Sequence, residues 1–101
     1  MGSRLDLQAF LEEILESPNV YFQPPSTIKM SYDAIVYSRS DIMNKHANNS
    51  VYKQDQAYEL VVIYRNPDSD IPKKISRLPN CRFNRHYTSD NLNHDVFTLY
   101  W

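Results

Sequence analysis

The chain has 101 residues and carries 11 Lys+Arg against 12 Asp+Glu, for a formal net charge of -1 at pH 7. This length fits one domain, which we place at residues 4–101, with residues 1–3 set aside as a cloning remnant or a disordered start. The near-neutral charge disfavours a protein that coats nucleic acid, and we expect no direct nucleic-acid recognition. A single cysteine, Cys81, excludes a disulfide framework and a multi-cysteine zinc site.

No apolar run approaches the roughly 20 residues of a membrane helix, and the N-terminus lacks a signal-peptide core. We therefore expect a cytoplasmic protein with no membrane partner. The composition includes 1 Gly and 8 Tyr. So few glycines exclude the P-loop, the dinucleotide fingerprint and the glycine-flanked serine elbow. Tyrosine-rich small domains act mainly through surfaces, so we expect a binding protein, not an enzyme, and no cofactor.

The first predicted element is an amphipathic helix. Its apolar residues recur at spacings of three and four, namely Leu7, Phe10, Leu11, Ile14 and Leu15. Asp6 is the expected N-cap. Pro18 ends the helix because proline lacks a backbone donor and disfavours helix at Ser17.

Extended segments follow the helix. Residues 20–22 form a short extended piece, which ends because prolines follow at positions 24 and 25. Residues 34–37 are a predicted strand. Residues 57–65 form the strongest predicted strand. One of its faces carries Tyr58, Leu60, Val62 and Tyr64, and the other carries Glu59, Val61, Ile63 and Arg65. Both faces are substantially apolar, which predicts a central position in the sheet.

The C-terminal part is predicted as a short helix followed by a hairpin. Asp70 caps a helix over 71–78, with Pro72 in its first turn and an inner stripe of Ile71, Ile75 and Leu78. Strands 81–87 and 95–101 are joined by a loop over 88–94. With Arg85 opposite Asp95, one face of the hairpin collects Cys81, Phe83, Phe97, Leu99 and Trp101. The predicted fold is α+β, with an N-terminal helix and a second short helix on a mainly antiparallel sheet of about four strands.

Two enzymatic interpretations are weak. A small metal-dependent nuclease would use His86 and His94, facing each other across the hairpin, with Asp90 or Asp95 nearby, but no tight metal-ligand spacing is present. A nucleophilic pair of Cys81 and His86 lacks an orienting third group. A modest basic patch for nucleic acid is formed by Lys73, Lys74 and Arg77, with Arg82 and Arg85 beyond them.

Two segments are candidate interfaces. The loop over 38–53 is too long and too polar for a simple connector, and its candidate contact residues are Asp41, Asn44, Lys45, His46, Asn48, Asn49, Val51 and Tyr52. The second segment is the hairpin turn with the C-terminus, namely Asp90, Asn91, Asn93, His94 and Tyr100. Tyr100 is expected to point away from the Leu99 face and to meet a neighbouring subunit.

Four stretches carry a resemblance to a known family: residues 19–25 (NVYFQPP), residues 35–37 leading to Asn48, Asn49 and Tyr52, residues 64–69 (YRNPDS) and residues 87–97 (YTSDNLNHDVF). They resemble small neck proteins encoded in tailed phages and prophages of Gram-positive bacteria, and among these the relatives of the lambda-type tail terminator. The likeness covers nearly the whole chain, and residues 87–97 are its most specific part.

The resemblance implies a role in virion assembly. Tail terminators are α+β domains that close into a hexameric ring on a finished tail tube, stop its polymerisation and offer a docking surface to the filled head. The expected location is the tail–head neck of the virion, with assembly in the bacterial host cytoplasm. The implied partners are further copies of the chain, the tail tube protein and a head-completion or connector protein. A head-side connector or head-closure protein is the alternative, and a small metal-dependent nuclease is the alternative of another class.

Overall fold

A computed structural model describes residues 3–40 and 56–101. These residues form helices α1 (Arg4–Leu15) and α2 (Ile71–Ser76), and strands β1 (Val20–Phe22), β2 (Ala34–Ser40), β3 (Ala57–Tyr64), β4 (Cys81–Ser89) and β5 (Leu92–Tyr100). The strands make one five-stranded sheet in the order β1-β2-β3-β5-β4. Every neighbouring pair is antiparallel except β1 and β2, which are parallel. The predicted α+β class with a mainly antiparallel sheet is confirmed, with one strand more than expected.

The additional strand is β1, which the sequence predicts only as a short extended piece. Val20 lies opposite Ile35, and Phe22 lies opposite Tyr37. Three residues are too short a pattern to separate a sheet strand from a stiff connector. β2 is also longer than predicted, since residues 38–40, assigned to the polar loop, continue the strand.

The start of α1 corrects the predicted cap. Ser3 is the N-cap, and its hydroxyl accepts a hydrogen bond from the Asp6 amide at 3.2 Å. The Asp6 carboxylate in turn accepts from the Ser3 amide at 3.2 Å, which completes a capping box. Asp6 is therefore the third residue of the helix and not its cap, and Ser3, which lies outside the predicted domain range 4–101, takes part in the fold. Glu16 ends the helix in the left-handed conformation, with φ of 59°.

The core lies on one face of the sheet, which we call the helix face. α1 contributes Leu7, Leu11 and Leu15, and α2 contributes Ile75, all of them buried. The strand residues that pack against them belong to β3 and to its neighbours β2 and β5. They are Tyr58, Leu60, Val62 and Tyr64 of β3, Ile35 and Tyr37 of β2, and Phe97 and Leu99 of β5. β3 pairs on both sides, so its predicted central position is confirmed.

The second helix is shorter than predicted and is capped differently. It ends at Ser76, and the Asp70 side chain makes no capping hydrogen bond. The Ser69 hydroxyl accepts from the Ile71 amide at 3.3 Å instead. The predicted inner stripe is confirmed, because Ile75 is buried and Ile71 and Leu78 pack against the same core. Neither helix in the described ranges has the length and apolar character needed to cross a bilayer.

The hairpin is longer and tighter than predicted. β4 and β5 run up to a two-residue turn, Asp90 and Asn91, whose φ angles of 53° and 64° are both positive. Asp and Asn tolerate this conformation, which is that of the type I′ hairpin turn. The predicted loop over 88–94 is therefore wrong, because its remaining residues belong to the two strands.

The register of the hairpin agrees with the prediction at one end only. Cys81 lies opposite Leu99 and Phe83 lies opposite Phe97. Beyond Phe83, Asn84 is an extra residue in β4, so Arg85 lies opposite Val96 and His86 opposite Asp95. The predicted Arg85–Asp95 pair is wrong because of this β-bulge, which shifts the pairing by one residue.

Candidate functional site

The loop residues predicted as a first interface fall in the stretch 41–55. Asp41, Asn44, Lys45, His46, Asn48, Asn49, Val51 and Tyr52 all lie outside the described residues. Their role as an interface stays a prediction.

The second predicted interface is divided between the two ends of β5. Asp90 and Asn91 form the turn, whereas Tyr100 is the last residue of the strand, so the structure does not bring Tyr100 to the turn. The His94 ring stacks on Tyr87, with 4.7 Å between ring centroids. The Asn93 side-chain amide, through Nδ2, donates to the Tyr64 backbone carbonyl at 3.4 Å. Asn93 and His94 thus make cross-strand contacts within the sheet and are not loop residues.

β4 is an exposed edge strand. Eight of its nine residues, from Arg82 to Ser89, are exposed, and no described residue pairs with its outer side. Phe83 and Tyr87 keep 50% and 40% of their surface accessible. An edge strand offers unpaired backbone N–H and C=O groups to another chain, and aromatic residues are enriched at protein interfaces. We call the outer side of β4, with Phe83 and Tyr87, the β4 edge.

Sequence reasoning missed the exposure of Phe83. It placed Phe83 correctly on the face of Phe97, and the two rings meet edge to face with centroids 5.6 Å apart. The described helices nevertheless cover only the middle of the sheet. Phe97 therefore lies in the core, whereas Phe83 lies outside the core at the edge of the sheet. The density of polar residues between positions 82 and 90 was the available signal that this strand lies at an edge.

The face of the sheet opposite the helix face carries a polar pocket of about 480 Å³. We call it the arginine pocket, and its lining includes Arg82, Asn84 and Arg85 of β4, Glu59 of β3, and Thr98 and Tyr100 of β5. Thr98 is buried, and its hydroxyl accepts a hydrogen bond from Nδ2 of the Asn84 side chain, at the bulge, at 2.7 Å. The bulge therefore forms part of the pocket wall.

The two arginines of this pocket are the groups that could hold an anion. Both Arg82 and Arg85 are exposed, and neither forms an ion pair within residues 3–40 and 56–101. The Arg85 guanidinium lies 5.8 Å from the centre of the Tyr87 ring, a weak cation–π contact. Guanidinium groups bind carboxylates and phosphates through paired N–H donors, so the pocket can take an anionic group.

A second polar cluster lies on the helix face around Asp95, which is only 8% exposed. The Tyr64 hydroxyl donates to Asp95 Oδ1 at 3.2 Å, and His86 Nδ1 is hydrogen-bonded to the same oxygen. Burial, followed by the charge of Asp95 and this hydrogen bond, raises the pKa of Tyr64. Tyr64 and His86 thus supply hydrogen-bond partners for the buried Asp95 carboxylate within the sheet.

The nuclease hypothesis required His86 and His94 to face each other, and the register separates them. His86 is opposite Asp95, whereas His94 is opposite Tyr87, so the two imidazoles lie on different faces of the sheet. Within the part of the chain that the structure describes, no group of three or more His, Cys, Asp or Glu side chains could hold a metal ion.

The predicted Cys81–His86 pair is also not formed. Cys81 lies opposite Leu99 at the start of β4, and it packs against the core. Burial raises the pKa of the Cys81 thiol to about 11, so the thiol stays protonated at neutral pH.

Comparison with known proteins gives one weak likeness. The chain is 33% identical over 64 residues, or 63% of its length, to "Non-structural protein PNS7" of wound tumor virus. The match spans 10% of that viral protein, so it does not place the chain in a family. No family model and no solved structure matches the chain.

Proposed function

We propose that this protein is a phage structural protein that caps the tail tube, stops tail polymerisation and joins the tail to the head as an oligomeric ring. The β4 edge is the single observation that carries the proposal, because it offers a surface for another subunit. The sequence resemblance to small neck proteins of long-tailed phages supplies the biological setting. The action is one of binding, in which no covalent bond changes and no cofactor takes part.

A closed ring requires a contact that joins two unlike surfaces of identical subunits. The two edges of the described sheet are unlike. β4 has nine residues and exposes Phe83 and Tyr87, whereas β1 has three residues. The Phe22 ring on β1 is covered by guanidinium groups of Arg4 and Arg39, at 4.5 and 5.2 Å from its centre. This asymmetry provides the two unlike surfaces that a head-to-tail contact requires.

The net charge is compatible with this assembly. A formal charge of -1 per chain leaves little repulsion between copies in a ring, or between a ring and its neighbours in a stack. Aromatic side chains at a partly desolvated contact would then provide most of the binding free energy.

Electron microscopy of particles from a phage or induced prophage that lacks this protein tests the proposal. Overlong, unattached tails beside DNA-filled heads are expected, because polymerisation has lost its stop. Tails of normal length beside separate heads would contradict tail termination and favour the head-side connector. Normal virions would contradict both roles.

A further inference from the structure

The arginine pocket carries more positive than negative charge. Two guanidinium groups, of Arg82 and Arg85, face one carboxylate, of Glu59. Thr98 stands between Glu59 and Arg82 in the register of the sheet. The β4 half of the pocket can therefore bind a carboxylate by charge-assisted hydrogen bonds, while Glu59 on the β3 side repels an extended polyanion such as a nucleic-acid backbone.

A cavity of complementary charge lies elsewhere on the same chain. It has a volume of about 460 Å³ and is formed where α1 ends and α2 begins. Its lining includes Glu16, Asp33, Asp70 and Lys74, three carboxylates against one ammonium group. We call this cavity the acidic notch. Lys74 Nζ lies 3.7 Å from Glu16 and 4.0 Å from Asp70, and these two acidic side chains remain 78% and 70% exposed.

The two charged surfaces cannot meet within one copy. Glu16 and Asp70 belong to the helix layer, whereas Arg82 and Arg85 lie on the opposite face of the sheet. They also lie towards opposite ends of the strands. Asp33 precedes Ala34, which pairs with Ile63, while the pocket is near the other end of β2, where Ser40 pairs with Ala57. Surfaces on different faces and ends can join only between copies, in a head-to-tail contact.

We propose that the arginine pocket binds the exposed carboxylates of the acidic notch on a neighbouring copy of this chain. This inference rests on the proposed ring and names the charge-paired part of its subunit contact. The Arg82 and Arg85 guanidinium groups receive Glu16 and Asp70 of the neighbour, and the adjoining β4 edge supplies the apolar part. Because Arg–carboxylate pairs are directional, they fix the orientation of one copy on the next.

Sedimentation-velocity analysis of charge-reversed variants tests this contact. We expect R82E/R85E and E16K/D70K each to weaken self-association by about tenfold or more, because like charges then face each other. The fourfold variant R82E/R85E/E16K/D70K exchanges the charges of both surfaces and regains self-association. Raising the salt concentration weakens the wild-type assembly and that of the fourfold variant, since the pairs are partly exposed.

The matched control for R82E/R85E is K73E/R77E, which makes the same change in net charge as R82E/R85E on two exposed basic residues of the α2 region. We expect this control to assemble like the wild type, and urea unfolding verifies that every variant is folded. Three results would overturn the inference: unchanged association of R82E/R85E, no recovery in the fourfold variant, or a wild type that stays monomeric at its highest soluble concentration. Unchanged association with overlong tails in the deletion phage would overturn the charge pairing and leave the tail-terminating role intact.

Discussion

The contact between Tyr64 and Asp95 makes the free energy of unfolding depend on pH in the alkaline range. Burial and the neighbouring carboxylate raise the pKa of Tyr64 above its ordinary value of 10.0. The native state therefore keeps a proton that the unfolded state loses, so the free energy of unfolding falls as pH rises above about 10.

Tyr64→Phe removes this contribution, and the alkaline decrease in stability is expected to become smaller. Urea unfolding between about pH 8 and about pH 11 measures the difference from the wild type. Tyr37 and Cys81, whose pKa values are also raised by burial, are present in both proteins and cancel in the comparison. An identical pH dependence in the two proteins would refute this assignment.

Leu11 tests how far α1 depends on its buried face. Leu11 is fully buried, whereas Leu5 on the same helix is 67% exposed. We expect Leu11→Ala to lower the free energy of unfolding by about 2–5 kcal/mol, because it leaves a cavity in the core. Leu5→Ala is the matched control and should change the free energy of unfolding by no more than about 0.5 kcal/mol. Similar losses from both substitutions would contradict the placement of the helix.

Helix caps show where sequence reasoning at the residue scale was incomplete. Ser3 and Asp6 have the spacing of a capping box, in which Ser3 is the N-cap and Asp6, the predicted cap, is the third helical residue. At α2 the sequence offers two adjacent cap residues, Ser69 and Asp70. The backbone geometry selects the serine hydroxyl. A sequence shows which residue types can cap a helix, but only the backbone geometry decides which one reaches the free amide.

At the scale of elements, the hairpin turn provides a test at a single position. Asn91 has a φ of 64°. Glycine adopts this conformation without steric cost, whereas a β-branched residue does not. We expect Asn91→Gly to leave the free energy of unfolding unchanged or to raise it slightly. Asn91→Val should lower it by about 1–2 kcal/mol.

Thermal or urea unfolding of the two Asn91 variants measures the contrast. Their difference is informative because both remove the same asparagine side chain. Equal stability of the glycine and valine variants would mean that the strands are joined by a different turn.

The long patterned elements could be predicted from sequence, and the short or irregular ones could not. The alternation over β3 and the spacing in α1 are repeated often enough to define their buried faces. The bulge at Asn84 has no such signal, although it moves His86 opposite Asp95 and shapes the arginine pocket. Of the candidate site, the sequence indicated the charged hairpin but not the exposure of Phe83, which depends on how far the helices extend over the sheet.

At the scale of the whole molecule, the proposed contact between copies rests on a core on one sheet face and an exposed edge strand at its margin. The core joins α1 and α2 to the helix face, while the β4 edge extends beyond it. The C-terminal Trp101 stacks on Phe10 at 5.3 Å, which fixes the end of β5 to α1. The β4 edge is thus an exposed surface on a packed domain, as a subunit contact requires.

The tail-length distribution of the deletion phage, complemented with variants of this protein, tests the central claim most directly. Wild type and the exposed-surface control Leu5→Ser are expected to restore tails of uniform length. Phe83→Ser, which removes a half-exposed ring worth about 1–3 kcal/mol to folding, is expected to leave tails overlong because subunits no longer associate at the β4 edge. Urea unfolding verifies that this variant is folded. Uniform tails with Phe83→Ser would contradict the assignment of this edge as the assembly surface.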